Sequence, residues 1–249
     1  MAAADTLTGA LARTGEAFAR FGIAGHAEAQ KQHQWHGTYD GRAWDAWLGA
    51  RRKYTYFGDM RTRRTIGYRL RVSASTPVMM RAFVLRRGFA TNVVARRLHR
   101  QRGLELMPGA PAGLEQFRVV ACDTAWVAHL LARPEAARLM ASLVEYRRGY
   151  GECADISFVP GQLHYSSPQL QPEQIDADHV ASIVTRLAAL AREAEQVAPP
   201  TNPAAATDTR DTGSLVMLVA GLFVGALALL LAAALAIVAI AVAAARWLR

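Results

Sequence analysis

The chain has 249 residues, room for one or two domains, with 20% charged residues and only two cysteines. That composition is ordinary for a globular protein and rules out a disulfide-built scaffold. Basic residues exceed acidic ones, 29 to 20, for a net charge of +9, so any charge-driven partner is expected to be anionic.

Residues 1–31 read as an Ala-rich helix whose apolar positions are Leu7, Leu11, Phe18, Phe21 and Ile23; Gly15, Gly22 and Gly25 interrupt it. A β-rich region follows. Asp40-Gly41 is a hairpin signal between Trp35–Tyr39 and Arg42–Leu48. Arg52–Phe57 continues as a strand to a turn at Gly58-Asp59. Thr62–Ser75 is the clearest strand: Ile66, Tyr68, Leu70, Val72 and Ala74 alternate with Thr65, Gly67, Arg69, Arg71 and Ser73. Past Pro77, Val78–Arg86 reads as another strand.

The second half is mixed. Thr91–Gln101 is a helix candidate, and Gln116–Ala121 a short strand. Asp123 is placed to cap a helix running to Leu131, and Pro134 to open one reaching about Arg147. Glu152–Val159 and Gln162–Tyr165 read as paired strands about Pro160-Gly161. A last helix starts at Asp176 or Asp178 and runs to about Val197, with Ile183, Leu187, Leu190 and Ala194 on one face. Strands followed by helices and further strands predict an α+β fold, mostly antiparallel sheet with packed helices.

Two stretches carry a resemblance. Gly37–Arg42 is a Gly-x-x-Asp-Gly-Arg hairpin. In Phe117–Pro134, the residues Phe117, Val119, Asp123, Trp126, Leu130, Leu131 and Pro134 form a strand–turn–helix signature. Over about residues 35–195 the chain resembles a loose group of uncharacterised prokaryotic membrane-anchored proteins with a small α+β domain. The resemblance implies that architecture, and no activity is assigned to the group.

Residues 198–214 hold Pro199, Pro200 and Pro203 and read as a flexible linker, giving a soluble domain at 1–197. From Leu215 to Ala245 there are 31 residues without a charge. A bilayer core of ~30 Å needs about 20 helical residues, so this run is expected to span a membrane once. Arg246, Trp247, Leu248 and Arg249 form a short interfacial tail. Residues 1–30 lack the apolar region of a signal peptide, which places the N-terminal domain in the cytoplasm. The arginines after the span argue for the reverse orientation. Gly221 and Gly225 form a GxxxG pair able to bring two such helices together as a homodimer.

The charge is concentrated. Residues 51–105 carry fifteen basic and two acidic residues, more than the whole net excess. Arg69 and Arg71 lie on the polar side of the predicted strand, and Arg96, Arg97 and Arg100 on the predicted helix. Such a surface suits anionic lipid headgroups, an acidic protein or, less well, nucleic acid; a solvated face is the plain alternative. Tyr54, Tyr56, Phe57 and Tyr68 lie among the arginines, where core packing is the better reading than base stacking.

Chemistry-bearing motifs are thin. His33 and His36 are three apart, a metal-binding spacing on a helix only, and no companion ligand follows. Cys122-Asp123 with His129 or His164, and Glu152 and Asp155 near His164, are groupings that nothing local enforces. No P-loop, Rossmann fingerprint, nucleophile elbow or zincin motif is present. No catalytic residue, metal or cofactor is therefore assigned. The reading is a single-pass, C-terminally anchored interaction module with a basic domain. An enzyme without a recognisable motif, a membrane-tethered nucleic-acid binder and an accessory subunit of a membrane complex are the alternatives.

Overall fold

The structure, a computed structural model, describes residues 2–29, 32–57, 60–86, 103–109, 113–144 and 154–201. All lie in the first of two units into which the chain divides, Met1–Ala206. The predicted helix at 91–101 and the span at 215–245 lie outside the described residues, among which no helix is long and apolar enough to cross a membrane.

Helix α1 (Ala2–Ala19) is followed by strands β1 (Gly25–Ala29), β2 (Gln32–Tyr39), β3 (Arg42–Phe57), β4 (Met60–Ser75), β5 (Ala82–Arg86), β6 (Glu105–Leu106) and β7 (Phe117–Ala121). Helices α2 (Thr124–Leu131) and α3 (Pro134–Leu143), strands β8 (Asp155–Val159) and β9 (Gln162–Ser166) and helix α4 (Ala177–Glu195) complete the order. Among the described residues the nine strands form one antiparallel sheet, ordered β1-β2-β3-β4-β9-β8-β5-β7-β6. The fold is α+β.

The first element departs from expectation. The helix does not continue to residue 31 but stops at Ala19, and Gly25–Ala29 is a strand. Gly22 is the cause. At φ +72° it takes the left-handed conformation, its N–H donates to the Ala19 carbonyl, and that of Ile23 donates to the Phe18 carbonyl. This pair of bonds is a Schellman cap, and its apolar partners Phe18 and Ile23 are both fully buried. The predicted strand at Val78–Arg86 is also shortened, to Ala82–Arg86. Before it the chain is tied to the β8–β9 turn: Gly161 N–H donates to the Val78 carbonyl, and Thr76 N–H to that of Gly161.

Other local signals hold. Asp40 (φ 53°) and Gly41 (φ 70°) make the left-handed pair of a two-residue hairpin turn between β2 and β3. Asp123 Oδ1 accepts from Trp126 N–H at 2.9 Å, and its other oxygen accepts from the N–H and hydroxyl of Thr201, each at 2.8 Å. Asp176 caps α4 by accepting from His179 N–H.

Strand alternation sends one set of side chains to the core: Trp44, Ala46 and Leu48 from β3; Leu70, Val72 and Ala74 from β4; Leu163 and Tyr165 from β9; Ile156 and Phe158 from β8. Helix α4 meets them with Val184, Leu187, Ala188 and Ala191, and packs against α1, α3, β4 and β9. Arg13 on α1 donates to the carbonyls of Pro172 and Ile175 ahead of α4. At the other end of α4, Arg42 donates to both oxygens of Glu195, which also accepts from Thr76 at 2.9 Å. This cluster fixes α4 to the start of β3 and the end of β4.

Two consequences are measurable by urea unfolding. Leu187→Ala, at a fully buried position, is expected to lower stability by about 2–5 kcal/mol. The Arg42 hydrogen bonds, then that of Thr76, hold the Glu195 carboxyl below its ordinary range against the cost of burial. Its contribution is therefore present above the unfolded carboxylate value and is lost as pH falls through the lowered folded value. Glu195→Gln is expected to reduce stability at neutral pH and to flatten the acid limb of its pH dependence.

Candidate functional site

The helices cover one face of the sheet. The other face is read from the register, which places His36, Asp45, Ser73, His164 and Ser157 in one row across β2, β3, β4, β9 and β8. The adjacent row is Gln34, Trp47, Arg71, Ser166 and Asp155. Where β2, β3, β4 and β9 meet, these rows line a groove of about 520 Å³ whose polar side chains come from Gln34, His36, Asp45, Arg71, Ser73 and His164.

Two glycines make this surface possible. A Cβ on Gly49 would stand 2.3 Å from the Trp47 ring, and one on Gly25 would stand 2.4 Å from the His36 ring. With glycine at both positions the indole and the imidazole can lie down over neighbouring backbone. Arg71 comes from the next strand, with its guanidinium carbon 5.0 Å from the centroid of the Trp47 ring, a cation–π contact. Such a contact occupies one side of the guanidinium and leaves other N–H donors for an acceptor. Ser73 Oγ donates to the Asp45 carbonyl at 3.2 Å, which holds β3 and β4 in register under the groove.

His164 is half-buried at the floor. Burial, and then the charge of Arg71, push its pKa below the ordinary imidazole value, while Asp45 acts in the opposite direction. The ring is thus kept neutral at pH 7, able to donate from one nitrogen and accept at the other.

The residues singled out from sequence divide. Arg69 and Arg71 both stand on the face turned away from the core, with Arg71 exposed in the groove and Arg69 half-buried opposite Gly49. Arg96, Arg97, Arg100, Gly221 and Gly225 lie outside the described residues. His33 and His36 are on a strand and so point to opposite faces; His33 stacks on His26 with centroids 5.7 Å apart. No group of three or more potential metal ligands occurs among the described residues. Asp123 is occupied as a cap, and Cys122 Sγ lies 3.5 Å from Arg81 N and 3.6 Å from Met80 Sδ, so these two residues serve the junction of β7 and α2. Strands β8 and β9 do pair, yet the charges that act on His164 are those of Arg71 and Asp45, from β4 and β3. Tyr54 is 39% exposed, whereas Tyr68 packs against the core. Sequence reasoning did not select Asp45, Trp47 or Ser73, and it weighed His36 only as a metal ligand beside His33. Their one signal was their parity with Arg71 along paired strands.

The lowered His164 pKa has a sign that can be checked. Between the folded value and the ordinary unfolded value near 6.5 the unfolded chain binds more protons, so stability falls as pH drops through that window. Urea unfolding from pH 8 to pH 5 is expected to show this decline, and His164→Gln to reduce it.

No family model matches the chain, and no curated protein matches it. Among solved structures, the mycobacterial trehalose monomycolate transport factor A, TtfA, aligns with 78% of this chain and 97% of its own at 10% identity, with a TM-score of 0.42. A likeness of that degree supports no inference about the site or activity of this chain.

Proposed function

We propose that the protein is a single-pass membrane-tethered interaction module whose basic sheet face engages an anionic lipid surface. The tether is supported by the 31 uncharged residues at 215–245. The contact surface is supported by strand register. Beyond Gly49, β3 has no partner in β2, and β3 and β4 run on together to Phe57 and Met60. From Ala46 to Phe57 and from Met60 to Val72 there are eight basic residues and no acidic one. Lys53 stands directly opposite Arg64, a like-charge pair that disfavours the ribbon unless an anion is close.

Alternation along β3 places Arg51 and Lys53 on the face of Trp47 and Gly49, the partners of Arg71 and Arg69, and the register shift at Arg51/Arg52 brings Arg64, the partner of Lys53, to that face as well. The Arg71–Arg64 stretch of β4 is about 20 Å long at ~3.3 Å per residue. That is a stripe rather than a scatter, and each cation near an anionic leaflet contributes about 1 kcal/mol. The single observation that carries the reading is this two-stranded extension, whose strands hold no acidic residue and set cations facing each other.

The test is co-sedimentation of residues 1–206 with vesicles. Binding is expected to vesicles of phosphatidylcholine with phosphatidylglycerol, and not to phosphatidylcholine alone, and it should weaken between 50 and 300 mM salt (order-of-magnitude working range). The double variant Lys53→Ser/Arg64→Ser is expected to bind roughly thirty-fold more weakly. Equal binding to both vesicle types, or none to either, would remove the proposal.

A further inference from the structure

Arg71 and Asp45 are unlike charges on one face of one strand pair, yet they are not paired. Each is one residue pair off the other in the β3–β4 register: Trp47 faces Arg71, and Asp45 faces Ser73. Diagonal neighbours of this kind have Cβ atoms roughly 7 Å apart, within reach for an arginine. Neither side chain has a hydrogen-bond or ion-pair partner among the described residues. Arg71 lies on the Trp47 ring instead, and the Asp45 carboxylate is exposed. The groove therefore holds a cation with N–H donors open and an anion with its oxygens open. Ser73 lies between them in the register, and the neutral His164 is next to Ser73.

A simple anion would satisfy Arg71 but would meet repulsion from Asp45. A simple cation would meet the reverse. A small zwitterion satisfies both, and the volume of about 520 Å³ suits a headgroup-sized molecule. We propose that the groove of Arg71, Asp45, Trp47 and His164 binds a phosphorylated amino alcohol, with its phosphate on Arg71 and its ammonium on Asp45. The phosphate receives charge-assisted hydrogen bonds from the guanidinium N–H groups. The ammonium donates to Asp45, and the His164 imidazole supplies a further uncharged donor or acceptor. The same chemistry occurs in a soluble phosphomonoester and in a phosphatidylethanolamine headgroup. The site does not depend on the two-stranded extension or on the membrane tether.

The experiment is calorimetric titration of the full chain in a neutral detergent, together with the Trp47 indole N–H resonance, using four probes: O-phosphoethanolamine, inorganic phosphate, ethanolamine and short-chain phosphatidylethanolamine. Saturable binding is expected for a phosphoethanolamine group, free or as the headgroup, with a shift at Trp47. Inorganic phosphate and ethanolamine should each bind at least about tenfold more weakly. Arg71→Ala is expected to weaken the preferred probe by about tenfold or more. Asp45→Asn should erase its advantage over inorganic phosphate while the amide spectrum stays folded. Preference for O-phosphoethanolamine would identify a soluble ligand, and preference for the short-chain lipid a headgroup; either supports the site. Lys53→Ser/Arg64→Ser should leave these affinities unchanged, so failure of vesicle binding and failure of the groove are separable. Equal affinity for phosphate and phosphoethanolamine, indifference to Asp45→Asn, or no saturable binding by any probe would overturn the proposal.

Discussion

Side chains along a strand alternate between two faces, and among the described residues the helices cover one face of this sheet. Both the core and the candidate site depend on that constraint. On β3 the buried residues Trp44, Ala46 and Leu48 are interleaved with Asp45 and Trp47; on β4 Leu70, Val72 and Ala74 are interleaved with Arg71 and Ser73. A slip of one residue would send Arg71 and Asp45 inward and the apolar set outward. Burying unpaired charges costs several kcal/mol each, comparable to the whole net stability of a domain of about 5–15 kcal/mol. The register is pinned at the start of β3, by the Asp40-Gly41 turn to β2 and by the Arg42–Glu195–Thr76 cluster beside it. The open face is thus a consequence of how the core is specified.

What could be read from the sequence follows the range of the physics involved. The hairpin at Asp40-Gly41, the caps at Asp123 and Asp176, the start of α3 at Pro134 and the period-two run of β4 are each decided within a few residues. The end of α1 was also local, since Gly22 was visible as a breaker. The alanine content around it argued for continuation, and the Schellman cap with Phe18 and Ile23 decided the matter. The spacing of His33 and His36 would make a ligand pair on a helix only; on the strand they occupy, three residues apart means opposite faces.

The groove was not legible because it is made by topology. Its residues come from β2, β3, β4 and β9, and β4 meets β9 through partners such as Arg71 and Ser166, far apart in sequence. No local pattern marks Asp45, Ser73 or His164 as belonging together. Glycines likewise gave no hint. Gly25 reads in sequence as a break in a helix and Gly49 carries no mark at all, yet they are where the His36 and Trp47 rings need room. Parity did select Arg69 and Arg71 as outward-facing, and that part of the site could be read directly.

The energetics of Arg71 explain how the groove keeps its charges apart. A surface ion pair with Asp45 would contribute about 0–1 kcal/mol, because water already solvates both groups. Lying on an indole contributes about 0.5–2 kcal/mol and leaves other guanidinium N–H groups hydrated. The indole therefore competes well with the carboxylate, and Gly49 supplies the space that lets it lie where Arg71 can reach it. An arriving anion does not have to break this contact, since the guanidinium has further N–H donors on the side away from the ring. Partly enclosed, it meets donors whose water is already displaced on one side. The cation–π contact thus holds the cation in place without consuming the hydrogen bonds by which it would recognise a ligand.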